Sequence, residues 1–184
     1  MADLFETIGT RTMVRNFKED PVADGDREKI LNAGLRAPTA GGNEQWIFCV
    51  VDSQEMRERL RELLVDAQGQ YYTKMMKKPW TKEKIEKWFA ENDRNLYRAP
   101  FYVAVFADFT ERMYTNPNIE DLWVHQSAAA AIENMLLAAH GLGIGGCWFG
   151  VPLLMEKEFY SLLGVKGDGL KLAAVLAFGY PKEK

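Results

Sequence analysis

"HGLGIGGCWFG", residues 140–150, places Gly141, Gly143 and Gly146 at the G-x-G-x-x-G spacing of a dinucleotide-binding loop. That fingerprint works in one order only. A strand must precede it and a helix must follow, so that a pyrophosphate meets the positive end of the helix. Here the order is reversed. "DLWVHQSAAAAIENMLLAAHGLG" (121–143) reads as a long Ala-rich helix that Gly141 ends, and the glycines then open a short strand. A phosphate would face the negative end of that helix. The stretch is therefore not a phosphate cradle, and the chain has too few strand–helix alternations for a doubly wound sheet. Gly145 and Gly146 instead offer bare backbone, against which either a flat ligand or a packed neighbour can lie closely.

Outward from this point the pattern mixes helices and strands. "MADLFETIGTR" is a short amphipathic helix, and "RTMVRNFKEDPV" (11–22) an extended polar connector. Residues 24–36 form a helix with Ile30, Leu31, Gly34 and Leu35 on one face and Asp24 or Asp26 as its cap. "APTAGGNEQ" (37–45) is a loop, and Trp46 to Val51 a strand. A helix over 55–66 follows, with Asp52 and Glu55 spaced as an acidic capping box. Segment 67–98 is rich in Lys and aromatics, is divided by Pro79, and carries eight Lys/Arg against four Asp/Glu between Gln70 and Arg98. "PFYVAVFAD" (100–108) and "LKLAAVLAFGY" (170–180) are strands, with "LMEKEFYSLLGV" (154–165) an amphipathic helix before the second.

Composition narrows the function. The 184 residues suffice for a single domain with a real core, at 47% hydrophobic and 27% charged. A net charge of −3 gives no overall basic field for nucleic acid. The absence of a long apolar run argues against a membrane span, and no signal peptide is visible. Cys49 and Cys147 are far apart, outside any C-x-x-C pair, and fit a reducing cytoplasm. His125 and His140 have no metal-ligand spacing, and no Ser stands in a G-x-S-x-G elbow.

Five stretches in order, "RTMVRNF" (11–17), "ILNAGLRAPTAGGNEQWIFCVV" (30–51), "APFYVAVFAD" (99–108), "AAHGLGIGGCWFG" (138–150) and "LAFGYP" (176–181), together resemble the nitroreductase family. The resemblance runs through nearly the whole chain. It implies an α+β fold, with a central, mostly antiparallel sheet flanked by helices, and a homodimer holding FMN at the subunit interface. The first stretch resembles R-x-S-x-R. Arg11 is thereby implied at the phosphate and Arg15 at the flavin edge, where negative charge collects on reduction. Met13 replaces the usual Ser, with Thr12 beside it. The second resembles A-P-S-x-x-N-x-Q-P-W, a loop given to the neighbouring subunit's flavin. It implies contacts from Pro38, Thr39, Ala40, Asn43 and Gln45, although no Pro precedes Trp46. The backbone at Gly145, Gly146 and Cys147 is implied near the ring, the Cys147 side chain being a small packing group. Relatives continue past G-Y-P with a basic tail; this chain stops at "PKEK", so Lys182 or Lys184 takes the phosphate role.

The implied activity is a ping-pong cycle. Hydride passes from NADH or NADPH to flavin N5, then to a nitroaromatic, quinone or related small acceptor. No side chain is assigned as a catalytic acid or base, and no metal is expected. Segment 67–98 is implied to be a variable helical lid. There Tyr71, Tyr72, Trp80, Trp88 and Phe89 either stack on substrate or bury one another, and the positive charge favours an anionic donor or oxidant. An FMN carrier or sensor without turnover, dehalogenation and flavin cleavage stand as alternatives.

Overall fold

A computed structural model describes residues 3–91, 97–166 and 168–182. Strands β1 (Trp46–Val51), β2 (Phe101–Asp108), β3 (Gly145–Phe149) and β4 (Leu170–Gly179) form one antiparallel sheet in the order β1-β2-β4-β3. The central strands read as continuous apolar runs because helices cover both faces of the sheet. On β2, Tyr102, Ala104 and Phe106 enter one core while Phe101, Val103 and Val105 enter the other, the period-two alternation of a strand. β4 interrupts its own alternation. Val105 pairs with Ala174 and Phe106 with Leu172, so Ala173 is an extra residue in a bulge, and Leu172 and Val175 share a face.

One face is covered by α5 (Pro117–Gly141) and α2 (Asp24–Leu35), the other by α3 (Gln54–Gln70) and α6 (Glu156–Leu163). The small residues of α5 admit a second helix, and that helix is α2 of the same chain. Asn134 Nδ2 donates to the Ala33 carbonyl at 3.2 Å, and a Cβ on Gly34 would come within 2.9 Å of Met135 Cγ. Helix α1 (Leu4–Thr10) lays Thr7 beside Gly141 and turns Leu4, Phe5 and Ile8 outward, Phe5 being 81% exposed. No described helix is long and apolar enough to cross a membrane.

Several helix ends differ from the sequence expectation, each for a local reason. Asp24 and Asp26 lie inside the first turn of α2, where they favour the helix dipole, and the cap position is Ala23. Ser53, not Asp52, caps α3 by accepting the Met56 N–H at 3.4 Å, and the helix runs four residues past Asp66 into a π turn, Tyr71–Met75. After it comes α4 (Lys82–Glu91). α5 starts one turn earlier than 121, at Pro117, with Asn116 accepting the Ile119 N–H at 3.3 Å. The left-handed residue that ends α5 is Gly143 (φ 76°), not Gly141. Gly143 N–H donates to the His140 carbonyl at 2.9 Å and Ile144 N–H to Ala139 at 2.8 Å, the two bonds of a Schellman end.

Gly145 and Gly146 now have a structural use. β3 is an edge strand, and the connector covers that edge: Met13 bridges Gly146 in parallel, and Val14 N–H donates to the Gly146 carbonyl at 3.0 Å. A Cβ on Gly145 would sit 2.7 Å from Val14 Cγ2. One on Gly146, on the opposite face, would sit 2.6 Å from Leu136 Cδ2 of α5. Each glycine thus clears one neighbour on one side of the strand.

A buried phenol fixes the turn before β2. Tyr102 Oη donates to the Tyr97 carbonyl at 2.6 Å and accepts the Ala99 N–H at 3.1 Å. Tyr97 is held there with φ 65°, an uncommon conformation for a residue with a side chain. Burial pushes both tyrosines up to about 12 and the Cys147 thiol up to about 11.

Gly146→Ala is expected to cost about 1–3 kcal/mol by overpacking, read from urea unfolding, with Leu136→Val in the same chain recovering part of the loss. The three raised groups are neutral when protonated, so their stabilisation is complete below their ordinary values and is lost as pH rises through the folded ones. The urea midpoint should hold up to about pH 9 and fall between about 9 and 12. Cys147→Ala should remove the earlier part of that fall, between about pH 9 and 11.

Candidate cofactor site

Segment 12–18 is an extended strap fastened at three places. Beyond the bond from Val14, Tyr97 N–H donates to the Arg15 carbonyl at 3.0 Å. Lys18 N–H donates to Tyr180 at 2.8 Å and Lys182 N–H to Asn16 at 3.1 Å, with Phe17 bridging Pro181. The strap floors a cavity of 470 Å³ lined by Thr12 through Asn16, His140, Gly143 to Gly145, Pro181 and Lys182. Four of the residues singled out from the sequence meet here: Thr12, Met13, Arg15 and Lys182. Gly145 joins them from β3. The charged side chains on this lining, Arg15 and Lys182, are both cations.

Arg11 stands beside this cavity rather than on its lining. Its Nε meets Glu133 Oε1 of α5 at 3.3 Å, while its Nη1 is buried with no hydrogen-bond partner among the described residues. Gly146 and Cys147 lie deeper, Gly146 under Leu136 and Phe178, and Cys147 2% exposed in the core. Burial keeps the Cys147 thiol protonated, only partly opposed by the Arg15 charge. Lys184 lies outside the described residues.

Pro38, Thr39 and Ala40 line a separate cavity of 520 Å³, with Gly41, Tyr114, Trp123, Gln126, Ser127 and Ala130. Its loop is anchored to α5: Ala40 N–H donates to Ser127 Oγ at 3.2 Å, and Ser127 Oγ donates to the Trp123 carbonyl at 2.8 Å. The Tyr114 hydroxyl fills the space a Cβ would need at Gly41 (φ 62°), and the Tyr114 and Trp123 rings meet edge to face at 5.1 Å. The two cavities share no lining residue.

Asn43 and Gln45 belong to a third depression. Gln45 is 9% exposed, and its Nε2 lies 3.4 Å from both the Glu111 carbonyl and Glu120 Oε1. Burial pushes the Glu120 carboxyl up, but the Met113 N–H, Arg112 and Gln45 outweigh it and hold the group below its ordinary value. This side chain ties β1 to the 108–120 loop.

Three aromatics of segment 67–98 stack on one another. Tyr72 and Trp80 are parallel at 4.3 Å, Trp88 meets both edge-on, and Lys84 Nζ sits 4.3 Å over Trp80. The Phe89 side chain lies outside the described residues. The sequence reading missed His140 in the first cavity and Tyr114, Trp123 and Gln126 in the second. Nothing local in their sequence marks them, since their neighbours in space come from distant segments.

Comparison with known proteins agrees with this architecture. The model of the Nitroreductase family matches residues 8–180. An Archaeoglobus fulgidus protein, named provisionally as an NADH dehydrogenase/NAD(P)H nitroreductase, is 32% identical across 100% of this chain and 88% of its own. A Bacteroides fragilis nitroreductase solved with bound FMN is 29% identical, with a TM-score of 0.69 over 100% of this chain and 94% of that one. An iodotyrosine deiodinase of Drosophila melanogaster is 23% identical over 98% of this chain and 63% of its own. The matched stretch takes in the strap, all four strands and the loop of the second cavity, and the chain belongs to the nitroreductase family.

Proposed function

We propose that this chain is an FMN-dependent oxidoreductase that takes electrons from NADH or NADPH and passes them to a small acceptor such as a nitroaromatic or quinone. One observation carries the reading. Of the residues that the family resemblance gathers around a single flavin, Thr12, Met13, Arg15, Gly145 and Lys182 line one cavity and Pro38, Thr39 and Ala40 another, and the two cavities share no lining residue. Two copies, each lending one cavity to the other, complete the site. Apolar side chains exposed on α1 and the first half of α5, among them Leu4, Phe5, Ile8, Ile119 and Leu122, supply a surface for that pairing.

The residues fit FMN. The orphaned, buried Nη1 of Arg11 is a donor awaiting an acceptor, and Arg15 and Lys182 bring two further cations to the lining of the first cavity. Bound FMN supplies the hydride and electron chemistry. The protein's part is orientation and charge. Arg15, its backbone fastened from both sides, holds a cation where reduction places negative charge. Arg11 and Lys182 would hold the phosphate, and Gly145 lines the cavity beside them. Thr39 and Ala40 come from the other copy, with Trp123 and Tyr114 as an aromatic wall for the acceptor.

The purified protein should be yellow, bleach with NADH or NADPH under anaerobic conditions, and recolour on addition of a nitroaromatic or quinone. Bleaching without recolouring would favour a carrier or sensor; recolouring by iodotyrosine instead would favour dehalogenation, the activity named for the Drosophila relative. Arg15→Ala should weaken FMN binding about 10- to 100-fold, the loss of one charged contact of about 1.5–3 kcal/mol, measured by flavin fluorescence. Unchanged binding and reduction would refute its role. Leu122→Glu should convert the dimer to monomer in light scattering and release FMN with it; a dimer retaining flavin would count against the shared site.

A further inference from the structure

The first cavity holds one titratable ring that no motif names. His140 lies in the last turn of α5 and lines the cavity with Arg15 and Lys182. Its Nε2 meets Thr10 Oγ1 at 2.9 Å, and Thr10 Oγ1 donates to the Glu6 carbonyl at 2.7 Å. A hydroxyl has one proton, and here it goes to Glu6. Nε2 of His140 is therefore the donor in its bond to Thr10. The ring is fixed in position, and its remaining nitrogen, Nδ1, has no partner among the described residues.

This bonding decides what the ring can offer an anion. With its single proton on Nε2, neutral His140 presents only a lone pair at Nδ1, which repels a phosphate oxygen. The doubly protonated ring presents an N–H there and a positive charge. The groups around it are Arg15 from the strap, Lys182 from the C-terminal segment, and the Arg11–Glu133 pair between the end of α1 and α5; α1 itself contributes Glu6 through Thr10. A protonated His140 would be a third positive charge lining one cavity, and a phosphate monoester brings nearly two negative ones.

We propose that His140 is a phosphate contact of this cavity and that the cofactor's phosphate draws a proton onto its Nδ1, so that cofactor affinity is coupled to pH. The proton comes from solvent and no covalent bond changes. This rests on the FMN reading above and adds a pH-linked control of cofactor retention to it.

The test is calorimetric titration of flavin-free protein with FMN at about pH 7.5, in two buffers of different ionisation heat, with riboflavin as the phosphate-free control. The wild type should take up more protons per FMN than His140→Gln, by up to about one, whereas riboflavin should show no such difference. At about pH 6.5, His140→Gln should bind FMN about 3- to 10-fold more weakly. His140→Lys, which carries a fixed charge, should restore the affinity without the extra proton, and it carries the test if the glutamine variant does not fold. Equal proton uptake by wild type and variants overturns the inference while leaving FMN binding intact. A wild type that binds neither flavin overturns the FMN reading and the inference together.

Discussion

The close passage of the strap over the edge of β3 is the constraint on which the rest depends. Val14 lies against Gly145 at a distance that no side chain at that position would allow, while Met13 bridges Gly146 beside it. That contact sets the height of residues 12–16 above the sheet, and the bonds to Tyr97, Tyr180 and Lys182 set their direction. Arg15 is exposed as a side chain yet anchored as backbone. Its place along the strap is thus set by backbone bonds, while the guanidinium itself stays at the surface.

The strained Tyr97 belongs to the same device. Its left-handed backbone costs energy that an ordinary turn would not. Tyr102 stabilises it by satisfying the Tyr97 carbonyl and the Ala99 amide inside the core. In return, Tyr97 N–H reaches the Arg15 carbonyl. The hydrophobic core and the charged cavity are thus connected by two hydrogen bonds in series, one from a phenol and one from an amide. Charge is distributed with similar order: the first cavity gathers cations, while the acidic Glu120 and Asp121 are engaged by Arg112 near the start of α5.

Much of this was legible in the sequence. The strands and the long helix follow from apolar runs and periodicity, and the reversed order of helix and glycines was enough to dismiss a dinucleotide fold. Local competition between caps was harder to read. Asp52 and Ser53 are both good caps, and only the backbone path shows that Ser53 faces the Met56 amide. Gly141 and Gly143 are both able to end a helix, and the choice falls on Gly143 because Ile144 can then close the second bond to Ala139. The candidate site was legible in its motifs but not in its partition. Gln45 sits in a motif that suggests ligand contact, yet its amide is buried beside Glu120, 75 positions away. His140 gains its meaning from Thr10, 130 positions away, and no local pattern records such a pairing.

The ring stack between Tyr72 and Trp88 has a consequence for how the molecule can vary. Tyr72 and Trp80 lie face to face, Trp88 joins both of them to the main core, and the π turn at Tyr71–Met75 marks where the segment leaves the regular path of α3. A segment whose rings rest on one another and reach the core through Trp88 can change its outward residues without unpacking that contact. Its exposed Lys77 and Lys78 can therefore be exchanged or recharged while the strap and the sheet stay as they were.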